Sequence, residues 1–241
     1  MKLPITFFLQ LFVFATFAQN IAGVIEYEFT MDLHRNIPPG REAMKAMIPQ
    51  HHTSHFQLFF NEEESLYRIM EDEESALQAG RQGGGMRMMM QGMRSETYTS
   101  KKDRKILVQQ DVMGTTYLIE EPLEIGQWRV GDEILEIAGY SCMMAWYTDT
   151  VLNQEVTAWF TMELPAFTGP ERYVTLPGTV LAVDINNGER VWVARNIQLE
   201  AAPEVEIQPP TRGRKLTRDE FNAMLQEQRE RMNNRGTPLR F

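Results

Sequence analysis

The sequence predicts a mainly β fold: a large curved antiparallel sheet or a sandwich-like domain, with a short N-terminal helix and a C-terminal amphipathic helix. Two observations support this prediction. Short runs of β-branched and aromatic residues recur along the chain between Gly, Pro and Asn turns. Helical periodicity with a capping signal appears only after Thr217. A sheet of about ten strands normally curls or splits so that one face is buried.

The N-terminus reads as a secretory signal peptide over residues 1–18. Lys2 supplies a positive charge, an apolar run extends from Ile5 to Phe17, and Ala18 provides a small residue before the cut. The run is shorter than the ~20 apolar residues that cross a bilayer. We therefore expect an exported protein, in the periplasm or outside the cell, with no transmembrane segment after cleavage.

Charge and cysteine content exclude some classes of function. The net charge is −9, and removal of Lys2 with the signal makes it −10. Affinity for nucleic acid depends on clustered Lys and Arg, so nucleic acid is not an expected partner. Cys142 is the only cysteine and cannot form an internal disulfide. Its apolar neighbours predict a buried, inert thiol.

The first half of the chain predicts a strand at residues 21–33, a short helix at 41–48 and a hairpin at 53–70. Residues 71–95 combine an acidic stretch, a Gly run and many Met, and we interpret them as a flexible insertion. Further strands are predicted at residues 96–101, 105–113, 116–121, 133–137, 140–150, 155–164, 179–185 and 190–199. Between the last two, Asn186-Asn187-Gly188 predicts a hairpin with a type I′ turn.

The composition changes after residue 200. Three prolines between residues 201 and 213 indicate an extended linker, which we assign to residues 201–216. Thr217 followed by Glu220 matches a capping box and starts a predicted helix at 217–234. The predicted organisation is therefore a signal peptide, a β-rich domain at 19–200, a linker and a C-terminal helix.

Residues 128–199 resemble the GLPGLI family of exported bacterial proteins. The resemblance rests on the strand segments 137–145 and 156–161, on Gly169-Pro170, and on the order in which they occur. The Gly-Leu-Pro-Gly-Leu-Ile signature appears as residues 175–180, in which Leu176, Pro177 and Gly178 agree with the family. This resemblance implies a secreted or periplasmic β-rich protein of uncharacterised activity, and it supplies no catalytic residues.

The signature also has a physical interpretation of its own. Pro177 fixes φ and lacks an N–H group, while Gly178 permits positive φ, so the pair predicts a tight turn that leads into a strand. Leu176 would fill the core beneath the turn. The alternative is a loop that contacts a ligand.

A methionine cluster is the chemically unusual feature of the predicted insertion. Five of the eight residues from 86 to 93 are methionines: Met86, Met88, Met89, Met90 and Met93. Thioethers are soft ligands that favour Cu(I), so the cluster is a candidate copper site. Met-rich loops also bind apolar partners through flexible contacts. A biased segment without a specific role is the third alternative.

His51, His52 and His55 form a second candidate metal site, with His34 as a further ligand. Imidazole binds Zn, Cu and Ni. On a strand, His51 and His55 would share one face and His52 the other, so the three converge only if this segment is a loop. Histidines at a surface or a loop edge are the alternative.

No sequence motif indicates catalysis. The chain lacks His-Glu-x-x-His, Gly-x-Ser-x-Gly and phosphate-loop patterns. We therefore expect a non-enzymatic envelope or periplasmic protein that binds a protein partner or an apolar ligand on the concave face of its sheet. Copper handling through the methionines is the alternative, with copper as the only candidate cofactor. An unrecognised hydrolase is the third hypothesis.

Overall fold

A computed structural model describes residues 21–37, 40, 42–70, 95–112, 114–150, 152–200 and 206–235. The described part contains twelve strands and one α-helix, α1, which spans Arg218–Arg235. The strands are β1 Ala22–Asp32, β2 His51–Phe60, β3 Glu64–Ile69, β4 Ser95–Ser100, β5 Lys105–Val112, β6 Thr115–Pro122, β7 Arg129–Ile137, β8 Tyr140–Asp149, β9 Gln154–Thr161, β10 Thr179–Ile185, β11 Arg190–Glu200 and β12 Arg214–Thr217. Two short 3-10 helices, Leu33–Asn36 and Glu42–Ala46, lie between β1 and β2.

All twelve strands belong to one sheet, in the order β12-β6-β5-β4-β3-β2-β1-β11-β10-β9-β8-β7. Every neighbouring pair is antiparallel except β12 and β6, which run parallel. The chain builds one half of the sheet outward from β1 as far as β6. It then starts the other half at the far edge with β7 and returns through β11 to the other side of β1. The predicted mainly β fold with a large sheet is therefore confirmed.

A loop between β9 and β10, residues 162–178, shows that the sheet is strongly curled; we call it the inner loop. Its neighbouring residues Tyr173 and Val174 pack against strands that are far apart in the sheet order. The Tyr173 ring lies 5.7 Å from that of Trp192 on β11, while Val174 packs in the same cluster as Tyr117 of β6. In a flat sheet these strands would lie about 29 Å apart, at roughly 4.8 Å per strand. The sheet therefore wraps around the inner loop.

The face turned toward the inner loop carries the main core. On β1, Ile25, Tyr27 and Phe29 alternate with partly exposed residues, as a half-buried strand requires. Leu164 and Leu176 of the inner loop are buried in the same cluster. The outer face is covered locally at β2 to β6, where Ile207 packs with a cluster formed by Phe59, Leu66, Tyr98, Leu107 and Leu118.

The C-terminal segment differs in part from its prediction. Thr217 and Glu220 form the predicted capping box: the Thr217 N–H donates to the Glu220 carboxylate at 2.7 Å. The helix packs on the sheet through Phe221, whose ring contacts that of Tyr117 at 5.7 Å. The assignment of residues 214–216 to a linker is wrong, because β12 pairs with β6 through its backbone. Only Leu216 is apolar in that strand, so no alternation marked it.

The predicted short N-terminal helix at residues 41–48 is not an α-helix. The structure has a five-residue 3-10 helix, Glu42–Ala46, with no buried residue. Because the apolar side chains of Met44 and Met47 are exposed, nothing holds this segment in a longer helix.

The hairpin predicted at residues 179–199 is present, but its turn is longer than a two-residue type I′ turn. Ile185 pairs with Arg190, so four residues connect the strands, and Asn186, Asn187 and Gly188 all have positive φ. A two-residue connection with both φ values positive, as type I′ requires, occurs instead at Ala138-Gly139 between β7 and β8.

Candidate functional site

A cavity of about 190 Å³ lies on the inner face of the sheet, beneath the inner loop. Its aromatic floor consists of Phe29, Phe56 and Trp192, which are all almost fully buried. The Phe29 ring lies 4.6 Å from that of Trp192 and 6.1 Å, edge on, from that of Phe56. These contacts fix the rings against one another, so the floor is preformed and apolar.

The opposite wall comes from β4 and β5. Ser95 and Thr97 on β4, and Val108 and Gln110 on β5, line this side. Two of the pairings between these strands place those side chains together, since Ser95 is opposite Gln110 and Thr97 is opposite Val108. The wall therefore consists of hydroxyl-bearing and amide-bearing side chains beside one aliphatic side chain.

The rim of the cavity is charged. Glu171 and Arg172 come from the inner loop, Arg190 is the first residue of β11, and Arg218 is the first residue of α1. Arg190 pairs in register with Met31, which also lines the cavity, so both side chains face inward. Four charged groups from three distant parts of the sequence thus converge above an apolar floor.

Glu121 at the end of β6 ties two of these arginines together. It is only 8% exposed. Arg218 donates a hydrogen bond to its Oε1, and the Arg172 guanidinium lies 3.8 Å from its Oε2. A buried carboxylate needs such partners, because an uncompensated charge would carry a large desolvation penalty. Glu121 therefore holds the inner loop and the start of α1 at one edge of the cavity.

Glu171 is the strained residue of the site. It follows Pro170 in a turn closed by the Tyr173 N–H donating to the Pro170 oxygen at 3.1 Å. Its φ is +47°, a region that favours glycine. Burial raises the pKa of its carboxyl group, while the charges of the surrounding arginines act in the opposite direction. The site therefore contains a carboxylate in an unfavourable backbone and solvation state.

A second depression, of about 570 Å³, lies beside β7 and β8. Arg129, Trp146, Tyr147 and Asp149 are among its lining residues. It is wider and lacks the convergent set of charged groups found under the inner loop. We therefore take the inner cavity as the candidate site.

The signature turn has a structural role beside the cavity. Leu176 is buried in the main core, as predicted. Gly178 does not use its freedom to adopt positive φ, because its φ lies outside that region. Glycine is required for space instead: a Cβ there would lie 2.2 Å from the backbone oxygen of Thr161. Pro177 itself is exposed.

The structure does not bring the three candidate histidines together. His51 begins β2, so His51 and His55 share one face, roughly 13 Å apart at about 3.3 Å per residue. His52 lies on the other face, where its Nε2 is 3.0 Å from the Ser54 hydroxyl. Among the described residues, no group of three His, Cys, Asp or Glu side chains could hold a metal ion.

Other predicted features lie outside the described residues. These are the signal peptide at residues 1–18 and the methionines of the candidate copper site, Met86, Met88, Met89, Met90 and Met93. In the part of the chain that the structure covers, no helix combines the length and the apolar character needed to cross a membrane.

Sequence reasoning missed the four charged residues of the rim. Each is a charged residue, a type that normally lies on the surface, and only the fold brings the four together. The one local signal was Glu171-Arg172, a charged pair placed between residues that are buried on both sides, Pro170 and Tyr173. That burial is itself known only from the structure.

Comparison with known proteins covers only a small part of this site, since Glu171 and Arg172 are the lining residues that lie in the matched segment. A family model described as "Protein of unknown function (Porph_ging)" matches residues 150–182, which contain β9, the inner loop and the start of β10. No curated protein matches the chain.

Solved structures provide a similarity of fold. Two structures of PNGF-II, in space groups P21 and C2, match with TM-scores of 0.54 and 0.55 at 13% and 12% identity. Each match covers 87% of this chain but only 34% and 33% of the other. The chain thus spans about a third of the length of the protein it matches. It shares a fold with part of PNGF-II and a short segment with a family of unknown function.

Proposed function

We propose that the protein is an exported, non-enzymatic binding protein that holds a small ligand in the cavity beneath the inner loop. The observation that carries this proposal is the combination of a preformed aromatic floor with a few convergent polar groups at its rim. Small-molecule sites are typically concave and mostly apolar, with a small number of placed polar groups. The sequence predicted an apolar ligand on this same concave face.

The groups around the cavity favour binding over catalysis. Glu121 is engaged by Arg172 and Arg218, so Glu171 is the remaining carboxylate at the rim. Among the described residues that line the cavity there is no histidine or cysteine to act as a base or nucleophile. The hydroxyls of Ser95 and Thr97 therefore have no histidine among the described residues that line the cavity with them.

Export and family membership complete the proposal. The sequence of residues 1–18 supports a cleaved signal peptide and a periplasmic or extracellular location. Membership of the GLPGLI family is supported by overlap, since the matched segment 150–182 contains the signature residues Leu176, Pro177 and Gly178. Copper binding by the methionines of residues 86–93, and a protein partner in the envelope, stay predictions from the sequence.

A ligand screen, repeated on a variant whose cavity is blocked by a larger side chain, tests the proposal. The mature protein, residues 19–241, is screened by differential scanning fluorimetry against small molecules with an apolar ring or chain. Ligand at about 100 times its Kd adds about 2.7 kcal/mol of stability. At roughly 2–4 °C per kcal/mol for a protein of this size, the melting temperature should rise by about 5–11 °C.

The matched variants are Ser95→Phe, which places a ring in the cavity, and Ser141→Phe at an exposed position on β8. Compounds that bind in the cavity should stabilise the wild type and Ser141→Phe, but not Ser95→Phe. Compounds that stabilise all three proteins equally bind elsewhere, and that result would reject the cavity as the binding site. A screen without any stabilising compound would count against the proposal as well.

A further inference from the structure

We propose that the ligand of the inner cavity is a small organic monoanion, with an apolar ring or chain on the aromatic floor and a carboxylate at the arginine rim. The inference deepens the proposed function and rests on it. It names the chemical class of the ligand from the charge balance, the unused donors and the dimensions of the site.

The charge balance of the rim favours an anion. Three arginines, Arg172, Arg190 and Arg218, face two glutamates, Glu121 and Glu171. With both carboxylates ionised, the cluster has an excess of one positive charge. The chain as a whole has a net charge of −9. A local positive excess on such an acidic protein provides a site that selects negative charge against the field of the remaining surface.

The hydrogen-bond donors of the rim exceed its acceptors. Arg190 makes no ion pair and no hydrogen bond through its guanidinium with any residue that the structure describes, although it influences the titration of Glu171. The buried Nε of Arg218 also has no acceptor there. A guanidinium presents its N–H groups as a planar fork that matches the two oxygens of a carboxylate. Arg190 is therefore the residue that we expect to hold the anionic group.

The floor and the volume limit the rest of the ligand. Phe29, Phe56 and Trp192 offer aromatic surface that only an apolar group would cover favourably. A cavity of about 150 Å³ lined by apolar residues is known to hold benzene. At about 190 Å³, this cavity has room for one ring and a short acidic arm. An inorganic anion would reach the arginines and leave the floor unused.

The test compares three probes by isothermal titration calorimetry on the mature protein: 3-phenylpropanoate, its neutral analogue 3-phenylpropanamide, and inorganic phosphate. The two organic probes have the same ring and differ in charge. We expect the acid to bind at least tenfold more tightly than the amide, and more tightly than phosphate.

Substitutions on β11 assign the charge effect to one residue. Arg190→Met should weaken binding of the acid at least tenfold and leave binding of the amide unchanged, whereas Arg190→Lys should retain part of the affinity. Arg195→Met is the matched control, since its side chain is 58% exposed and pairs with Glu28 away from the cavity. It should leave both affinities unchanged. Thermal melting of each variant verifies that it folds.

The outcomes separate this inference from the proposed function. Equal affinity for acid and amide overturns the anion and leaves a binding protein for neutral apolar ligands. Binding of phosphate alone overturns the organic ligand. An acid that binds equally to the wild type and to Arg190→Met overturns the assigned residue. No binding of the acid rejects the inference, and the screen with Ser95→Phe then decides the proposed function independently.

Discussion

The close packing of Gly178 against β9 leads to a prediction that distinguishes two reasons why a position requires glycine. One is lack of space for a side chain, and the other is a positive φ. A Cβ at this position would lie 2.2 Å from the backbone oxygen of Thr161 and 3.0 Å from the Cδ2 atom of Phe160. Because the first of these atoms belongs to the backbone of β9, no side-chain rotation can relieve the clash. Any larger residue must displace the β9–β10 pairing at Thr161 and Thr179.

The magnitude follows from the cost of overpacking, which is typically about 1–3 kcal/mol. A contact with backbone belongs at the upper end of that range, so Gly178→Ala should cost about 3 kcal/mol. At about 2–4 °C per kcal/mol, the melting temperature should fall by roughly 6–12 °C. Gly178→Asn should be at least as harmful, because asparagine adds volume.

Gly139 is the matched control, since its φ is +85° and a Cβ added there would have no atom within 4 Å. There the penalty is conformational, about 1 kcal/mol for alanine, and asparagine should recover part of it because it tolerates left-handed backbone. Thermal melts monitored by circular dichroism compare the four variants. The reasoning is refuted if Gly178→Asn is more stable than Gly178→Ala, since space would then not be the constraint.

Three further predictions concern a turn, a carboxyl group and the methionines. Ala138→Asn should raise the free energy of unfolding by about 0.5–1 kcal/mol in urea denaturation, because Ala138 has positive φ in a turn that favours asparagine. Glu171→Gln should match the wild type near pH 4 and exceed its melting temperature at pH 7. The raised folded-state pKa of Glu171 makes the wild type lose stability as pH rises above the unfolded-state value of about 4.3; a constant difference between the two melting curves across that range would contradict this. Replacing the five methionines of residues 86–93 by Leu should abolish Cu(I) binding in a competition titration if they form a copper site, and equal binding by both proteins would reject it.

Strand positions could be predicted because alternation in the sequence coincides with burial on a curled sheet. On β1, Ile25, Tyr27 and Phe29 face the core. On β9, Val156, Ala158 and Phe160 do the same, and each set was readable as an apolar face. Cys142 is likewise buried, as its apolar neighbours predicted, and burial raises the pKa of its thiol to about 11. Local patterns sufficed wherever the buried face was continuous.

Strand β12 could not be predicted because its partner determines it. Its sequence, Arg214 to Thr217, contains one partly buried apolar residue and follows a proline-rich stretch. The strand exists because its backbone groups pair in parallel with β6, far earlier in the chain. Pairing of this kind leaves no periodic signal in the sequence, since it uses N–H and C=O groups that every residue except proline has.

The charged rim of the cavity could not be predicted from the sequence either. Its charged residues come from the inner loop, from β11 and from α1, so none of them is a neighbour of the others in sequence except Glu171 and Arg172. A charged residue in a loop or at an element's end normally faces solvent, and sequence alone gives no reason to read it otherwise. Their convergence depends on a curled sheet and on a loop that crosses its inner face.

The inner loop combines a packing role with the proposed ligand role, and its backbone distinguishes the residues that suit packing from those that do not. Leu176 and Gly178 suit their positions physically, since one fills the core and the other fits against β9. Glu171 does not, because its positive φ costs roughly 1–3 kcal/mol that glycine would avoid, and burial penalises its charge. We take a residue that opposes stability in two independent ways, at the rim of a cavity, as support for the proposed binding site, because folding alone gives no reason for it. Glu171→Gly should accordingly stabilise the free protein while altering ligand affinity, whereas substitutions at Leu176 should lower stability first.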